Sequence, residues 1–151
     1  MQRLEYTVVT RADRELAWKV FSDWRLWRRF SDIYGNIQWL KGEPWMPGSR
    51  LKIEVVTPVR TVVDHVITVC SPAESVAWID HALCYSMEQW VTFHPLVGGG
   101  TRVHTWIDIV GSAPDVSGCD VRDFLGGFTR KWYDSFGVTC DQLAEENALL
   151  V

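Results

Sequence analysis

The stretch that decides the fold is residues 101–143, TRVHTWIDIVGSAPDVSGCDVRDFLGGFTRKWYDSFGVTCDQL. Its first ten residues, Thr101–Val110, alternate apolar and polar side chains, which is typical of a strand with one buried face. After residues 111–114 (GSAP), apolar side chains recur at helical spacing instead. They are Val121, Leu125, Phe128, Trp132, Phe136 and Leu143. The sequence therefore predicts a strand and then a helix of roughly 25 residues with one broad apolar face.

Six further strands and two short helices are predicted before this stretch. The strands are residues 3–10, 37–42, 49–56, 61–69, 75–81 and 86–94, and the helices are Arg14–Phe21 and Asp23–Phe30. Turns rich in proline and glycine separate the strands. A sheet that is apolar on one face must cover that face, and only the final helix is long enough to do so. We expect one α+β domain over residues 1–151, with a curved seven-stranded antiparallel sheet around the long C-terminal helix.

The composition and net charge restrict the classes of function that the chain can have. The chain has a formal net charge of −4 and no basic stripe, so it is not predicted to bind nucleic acid. The local cluster of Arg25, Arg28 and Arg29 is interpreted as a solvated helix face. Nine tryptophans are more than a core usually needs, because each buried indole N–H requires a partner. Such side chains suit a wide cavity or a binding surface.

Localisation is predicted from what the sequence lacks. The N-terminus has no apolar core of the signal-peptide type, and no apolar run is long enough to span a membrane. We therefore expect a cytoplasmic protein with no membrane span. The four cysteines form no CxxC pair and are expected to be free thiols. They are Cys70, Cys84, Cys119 and Cys140.

Four segments together carry a family resemblance. They are the opening helix at residues 12–27, then WMPGSRL at 45–51, VCSPAESVAW at 69–78 and FHPLVGGGTRV at 93–103. On these segments the chain resembles the SRPBCC superfamily, the START and polyketide-cyclase/dehydrase-like helix-grip domains, over essentially its whole length. The resemblance implies the helix-grip fold. That family includes lipid and sterol carriers, hormone receptors and aromatic polyketide cyclases, so the fold alone does not choose a function.

Alternation along the strands places three polar side chains toward the interior. By analogy with the family, Val63, Ile67 and Val69 face inward, and His65 shares their parity. Asp80 shares a face with Trp78, and Gln89 shares a face with Phe93. Buried polar groups need partners, so these three would bond one another, water or a ligand. The alternative is that one or more lie at the rim or bond only backbone.

Opposite parity predicts aromatic residues on the outer face. With the Gly98–Gly100 loop at the centre of the hairpin, His94 would face His104, and Trp90 would lie diagonal to Trp106. Exposed apolar patches often mark contacts, so a homodimer through this face is one alternative. A bulge that returns these residues to the core is the other.

These features favour a pocket for a small hydrophobic ligand such as a lipid, an isoprenoid or a polyketide-like aromatic molecule. Its predicted walls are Trp78, Val91, Phe93, Phe128 and Trp132, with Trp45 in a loop that either gates the mouth or is pinned onto the sheet. His65, Asp80 and Gln89 would orient the ligand. A protein without turnover is favoured, and neither a cofactor nor a metal is expected because no ligand motif is present.

Two other functions remain open from the sequence. One is a cyclase or dehydratase in which His65 and Asp80 act as the acid/base groups. The other is a protein-interaction module that uses the outer Trp90 and Trp106 face.

Overall fold

The computed structural model describes residues 2–58, 60–82, 85–110 and 121–149 of the chain. The elements follow the predicted order. They are β1 (Gln2–Thr10), α1 (Arg14–Ser22), a 3-10 turn (Trp24–Leu26), α2 (Trp27–Phe30), β2 (Tyr34–Lys41), β3 (Arg50–Val55), β4 (Thr61–Ser71), β5 (Ser75–Ala82), β6 (Tyr85–Pro95), β7 (Thr101–Val110) and α3 (Val121–Leu149). The predicted loop at residues 111–114, Cys84 and Cys119, and the side chain of Val121 lie outside what is described.

The seven strands form one antiparallel sheet in the order β1-β7-β6-β5-β4-β3-β2. The two end strands of that order are β1 and β2. The helix α3 has 29 residues and packs beside β1, α1 and α2. Its buried residues include Trp132, Phe136 and Cys140, which join the same core as the inward residues of the sheet.

The first helix starts where the sequence supplies a cap. The side chain of Asp13 accepts a hydrogen bond from the backbone N–H of Leu16 at 2.8 Å, which satisfies a free donor of the first turn. Ala17, Val20 and Phe21 then lie on the buried side of α1. This helix is amphipathic, and it delivers an aromatic ring to the centre of the core.

Phe21 is the hub of an aromatic cluster. Its ring lies 5.6 to 6.1 Å from the rings of six others, measured between centroids. These six are Trp18, Trp45, Trp78, Phe93, Trp132 and Phe136. Most of the pairs are tilted or edge-to-face, as ring quadrupoles favour. Much of the tryptophan content thus packs ring against ring in the interior.

The β6–β7 hairpin corrects the predicted register. Trp90 lies directly opposite Trp106, and His94 lies opposite Arg102. The predicted pairing of His94 with His104 is wrong because the turn centres on Gly98, one residue before the expected centre. Moving the centre by one residue shifts every pair by two. The side of the sheet predicted for these residues is unchanged by that shift.

Gly100 explains why the loop needs glycine. Its φ is +89°, and a Cβ there would lie 2.7 Å from the carbonyl oxygen of Thr10. Any other residue would therefore meet both backbone strain and a clash.

A bulge in β4 corrects a second prediction. The register shifts between Ile67 and Val69, so Cys70 rather than Val69 lies opposite the buried Val76. Cys70 packs against the core. The inward facing predicted for Val69 is wrong because one extra residue reverses the alternation beyond the bulge. His65 and Ile67 precede the bulge and keep the predicted inward parity.

Candidate ligand-binding site

His65 and Asp80 form a buried pair on the inner face of the sheet. They are direct cross-strand partners in β4 and β5, and His65 Nδ1 lies 2.5 Å from Asp80 Oδ1. Their side chains are 6% and 10% exposed. The separation is that of an ion pair when the imidazole is protonated, but the N–H direction is not that of an aligned hydrogen bond. The structure thus brings together the two residues that the sequence only placed on the same side.

Trp78 completes this pair from the next inward position of β5. Its ring stacks on the His65 imidazole with 4.6 Å between centroids and 29° between planes. Its indole N–H also donates to Asp80 Oδ2 at 3.2 Å. One carboxylate oxygen therefore has an indole donor, and the imidazole ring is held on one face.

Several buried polar atoms have no hydrogen-bond partner among the described residues. They are both ring nitrogens of His65, Asp80 Oδ1, Ser49 Oγ, and the indole nitrogens of Trp39 and Trp132. Trp39 belongs to the same cross-strand row as His65, because Trp39 pairs with Leu51 and Leu51 pairs with His65. Buried polar groups are nearly always paired, so these atoms mark places where a further molecule is expected.

A second polar group lies on β6, the strand next to β5. Gln89 Nε2 donates to Thr105 Oγ1 at 2.9 Å and to the Tyr133 hydroxyl at 3.2 Å. The predicted inward facing of Gln89 therefore has a described partner on β7 and another on α3. Burial raises the pKa of Tyr133 far above its ordinary value, against the smaller effect of the hydrogen bonds with Thr105 and Gln89.

Tyr34, the first residue of β2, lies beside Trp132 and Phe128 of α3. The residue is half-buried as a whole, but its hydroxyl end is enclosed. Burial raises the pKa of Tyr34 strongly, Trp132 opposes this as a donor, and the charges of Tyr133 and Asp80 add to it. That donor contact is loose, since the Trp132 indole nitrogen lacks a hydrogen bond of good geometry among the described residues. The phenol stays protonated and can both donate and accept.

The residues predicted to form the pocket walls are buried or half-buried in the structure. Trp78, Val91, Phe93 and Trp132 are buried, and Phe128 is half-buried against Tyr34 and Phe124. Trp45 is buried and its indole donates to the Ser22 carbonyl at 2.9 Å. Of the two roles weighed for this loop, Trp45 shows the pinned arrangement, while its neighbour Met46 is 55% exposed.

Three residues of this site were missed from the sequence. Tyr34 precedes the predicted start of its strand, and Tyr133 stands beside the apolar stripe of α3 rather than on it. Thr105 was placed inward but not counted as a polar group. The spacing of Thr129, Tyr133 and Phe136 was the available signal, because these residues share one helical face. All three are buried.

The outer aromatic pair is largely satisfied within the sheet. The rings of Trp90 and Trp106 stack at 5.9 Å and 10°. The Arg3 guanidinium lies 5.7 Å from the Trp106 ring, and the Trp90 indole donates to Glu88 at 2.9 Å. Both tryptophans are half-buried. These contacts hold both rings against the sheet, and the homodimer through this face stays a prediction.

The described part of the chain has neither a metal-binding cluster nor a membrane-spanning helix. There, no group of three or more His, Cys, Asp or Glu side chains is arranged to hold a metal ion. Within those same residues, no helix has the length and apolar character needed to cross a bilayer.

The comparisons with known proteins identify the fold. A START superfamily protein from Mycobacterium smegmatis superposes with a TM-score of 0.75 at 17% identity, over 93% of this chain and 98% of that one. The protein Ara h 8.0201 gives a TM-score of 0.74 at 12% identity, with 92% and 97% covered. A hypothetical protein from Helicobacter pylori gives 0.75 at 13%, with 92% and 88% covered.

These likenesses confirm the predicted fold class: the chain has the START-like helix-grip fold. No model of a protein family matches the sequence, and no curated protein is significantly similar to it. At these levels of identity the likeness concerns the fold, so the function must be argued from the site.

Proposed function

We propose that this protein binds a small, mostly hydrophobic molecule and holds its polar end at the His65–Asp80 pair. The observation that carries the proposal is the set of unpaired polar atoms inside an aromatic core. Leaving such groups unpaired costs free energy, about 1–3 kcal/mol for each. A ligand that supplies the missing partners removes this cost, and rings such as Trp78 and Trp132 supply apolar contact.

The unpaired atoms indicate the chemistry of the ligand's polar end. The indole nitrogens of Trp39 and Trp132 only donate, whereas an imidazole nitrogen of His65 donates or accepts. Asp80 Oδ1 only accepts, so a ligand hydroxyl can donate to it and accept from a donor of the set, whereas a ligand carbonyl can satisfy the donors alone. A carboxylate on the ligand would instead meet the carboxylate of Asp80 and be repelled. The proposed ligand is therefore neutral, with an apolar body and one hydroxyl or carbonyl group, as in many lipids, isoprenoids and aromatic polyketides.

The test compares three probes that share one skeleton: naphthalene, 1-naphthol and 1-naphthoic acid. Their affinities are measured by displacement of a neutral fluorescent probe, N-phenyl-1-naphthylamine. We expect 1-naphthol to bind about fivefold to tenfold more tightly than naphthalene, the effect of one hydrogen bond. The acid should bind most weakly. Equal affinities for all three, or tightest binding of the acid, would contradict the proposed anchor.

A matched pair of histidine variants tests whether His65 causes the preference for 1-naphthol over naphthalene. His65→Leu should remove the preference for 1-naphthol over naphthalene while leaving naphthalene binding unchanged. His94→Leu is the control, because His94 is exposed and bonds Thr92 on the outer face. A preference that survives in His65→Leu would assign the polar anchor to another residue.

The close His65–Asp80 pair also favours a second candidate, an acid/base enzyme of the cyclase or dehydratase type. A carboxylate beside Nδ1 stabilises a protonated imidazole and leaves Nε2 to take up or release a proton. In such an enzyme His65→Gln abolishes turnover of a bound carbonyl compound and leaves its binding within twofold of wild type. Binding without turnover by the wild-type protein favours the carrier or sensor.

Cytoplasmic location is part of the same proposal. It is supported by Cys70 and Cys140, which are both free thiols, as a reducing compartment favours. No nucleic-acid partner is proposed, in keeping with the net charge of −4.

A further inference from the structure

One arginine of this chain is held on the outer face of the sheet by an aromatic ring and a carboxylate. The Arg3 guanidinium carbon lies 5.7 Å from the centroid of the Trp106 ring. Its Nε and Nη2 donate to the two carboxylate oxygens of Asp108 at 2.7 and 2.9 Å. A planar guanidinium can stack on an indole and bond a carboxylate through two N–H groups at once, whereas a lysine ammonium cannot. This arrangement shows how the outer face holds an arginine.

Strand β6 repeats the ring and the carboxylate beside it. Trp90 lies directly opposite Trp106, and Glu88 lies directly opposite Asp108. Each of the two strands therefore presents an indole and, two residues away, a carboxylate on the same side of the sheet. The two indole rings are stacked with only 10° between their planes. The Glu88–Trp90 pair is thus a second copy of the arrangement that holds Arg3.

This second copy lacks its arginine. Strand β7 receives Arg3 from β1, but the strand on the far side of β6 is β5. There, Ile79 lies opposite Glu88 and Ala77 lies opposite Trp90, and neither carries a charge. Glu88 is exposed and forms no ion pair among the described residues. Its Oε1 accepts from the Trp90 indole at 2.9 Å, which leaves Oε2 able to accept from a further donor.

The charges around Glu88 favour a cation. Glu88 and Asp108 are direct cross-strand partners, and like charges placed opposite one another repel. The hydrogen bonds from Arg3 hold the pKa of Asp108 below its ordinary value, so both carboxylates are charged near neutral pH. Arg3 balances one of them and leaves the other unbalanced. The half-buried Ile79 offers apolar surface to the methylene stem of an incoming arginine.

We propose that the Glu88–Trp90 pair is the docking site for an arginine side chain of a partner protein, held there as Asp108 and Trp106 hold Arg3. Tryptophan and arginine are among the residues that carry most of the binding energy at protein interfaces. The pair lies on the outer side of the sheet, so this inference does not rest on the proposed function.

The experiment is an NMR titration of protein labelled with ¹⁵N in its tryptophans. The indole signal of Trp90 is assigned by its loss in Trp90→Phe. The probes are the Nα-acetyl methylamides of arginine, of lysine and of citrulline, which is the neutral counterpart of arginine. We expect the arginine probe to shift the Trp90 signal with a Kd of roughly 1–10 mM, as for a single exposed contact. It should bind about fivefold more tightly than the citrulline probe and more tightly than the lysine probe.

Two matched variants assign the effect. Glu88→Gln should abolish the preference for the arginine probe over the citrulline probe. Glu5→Gln is the control, because Glu5 lies opposite Trp106 on the same side of the sheet and its loss removes the same charge. That variant should keep the preference.

Every other outcome overturns the proposal. Equal affinity for the arginine and citrulline probes would mean that the charge is not recognised. Tighter binding of the lysine probe would remove the role of the planar guanidinium. Equal loss of preference in both variants would assign the effect to the overall charge of the face. A Trp90 signal that moves with protein concentration when no probe is present would assign the site to a second copy of this chain.

Discussion

His65 Nδ1 lies 2.5 Å from Asp80 Oδ1, yet among the described residues neither ring nitrogen of His65 has an aligned hydrogen bond. The pair is therefore close enough for strong charge interaction but incomplete in hydrogen bonding. In a buried site this combination is costly, because the low dielectric that strengthens a paired charge also penalises an unpaired polar atom. Such an arrangement is expected in a site where a bound ligand supplies the missing hydrogen bonds.

The first prediction concerns the stability of this pair. Asp80→Ala should lower the free energy of unfolding by about 3–5 kcal/mol, because it removes one partner and leaves the other buried. The double variant His65→Leu/Asp80→Leu should be more stable than the single variant, since neither member of the pair is left buried without the other; the Trp78 indole loses its acceptor in both variants. Urea unfolding of both proteins measures this. A double variant less stable than Asp80→Ala would mean that the two residues do not act as a pair.

The second prediction separates packing from ligand binding at Trp132, which is 5% exposed. Trp132→Ala should cost about 3–5 kcal/mol of stability, as for other buried aromatic residues. Trp132→Phe keeps a ring and removes an unpaired N–H, so it should cost less than half as much. It should nevertheless weaken binding of 1-naphthol about fivefold if the indole donates to the ligand. Unfolding curves and probe displacement on the same samples decide between the two roles.

The third prediction concerns alkaline pH. Burial raises the pKa of Tyr34 and Tyr133 in the folded protein, whereas in the unfolded chain both ionise near pH 10. Below that pH both states hold the protons, so the two phenols do not change the stability. Above it the unfolded state alone loses protons, so the free energy of unfolding should fall as pH rises.

The double variant Tyr34→Phe/Tyr133→Phe checks this assignment. Its urea midpoint should decline less steeply than that of the wild-type protein above about pH 10. Parallel declines would show that other groups cause the alkaline loss.

The fourth prediction concerns thiol reactivity. Burial raises the pKa of the Cys140 thiol to about 12, and the charge of Asp141 adds to this. The thiolate is the reactive form, so iodoacetamide at pH 8 should modify Cys140 only as fast as the protein unfolds. Cys70 is half-buried and should be modified sooner, although burial raises its pKa as well. Peptide mapping over time tests the order, and faster modification of Cys140 would contradict its burial.

Sequence patterns predicted the fold because apolar residues recur at clearly different spacings in strands and in helices. Alternation by two gave the strands, and recurrence by three and four gave α3, whose observed length is 29 residues. Parity also placed His65 and Asp80 on the inner face. Their contact could not be predicted, because it depends on register, and register is set by turns and bulges that parity does not contain. The shifted centre at Gly98 and the bulge before Val69 are two examples.

The tryptophan content was the least reliable guide. An excess of indoles predicted a wide cavity, but in the structure rings such as Trp18, Trp45 and Trp132 pack around Phe21. Composition cannot distinguish rings that line a space from rings that fill one. That distinction needs the positions of the unpaired N–H groups, which depend on the tertiary structure.

Native mass spectrometry of the protein as it is isolated from cells tests the central claim most directly. Spectra are recorded under mild conditions and again after denaturation, for the wild-type protein and for His65→Leu. We predict that the wild-type protein carries an additional mass above the 17.3 kDa chain, released on denaturation as a neutral apolar compound with a hydroxyl or carbonyl oxygen. The variant should carry less of it. A wild-type protein that shows only the bare chain, and that still shows only the bare chain after incubation with 1-naphthol, would contradict the account.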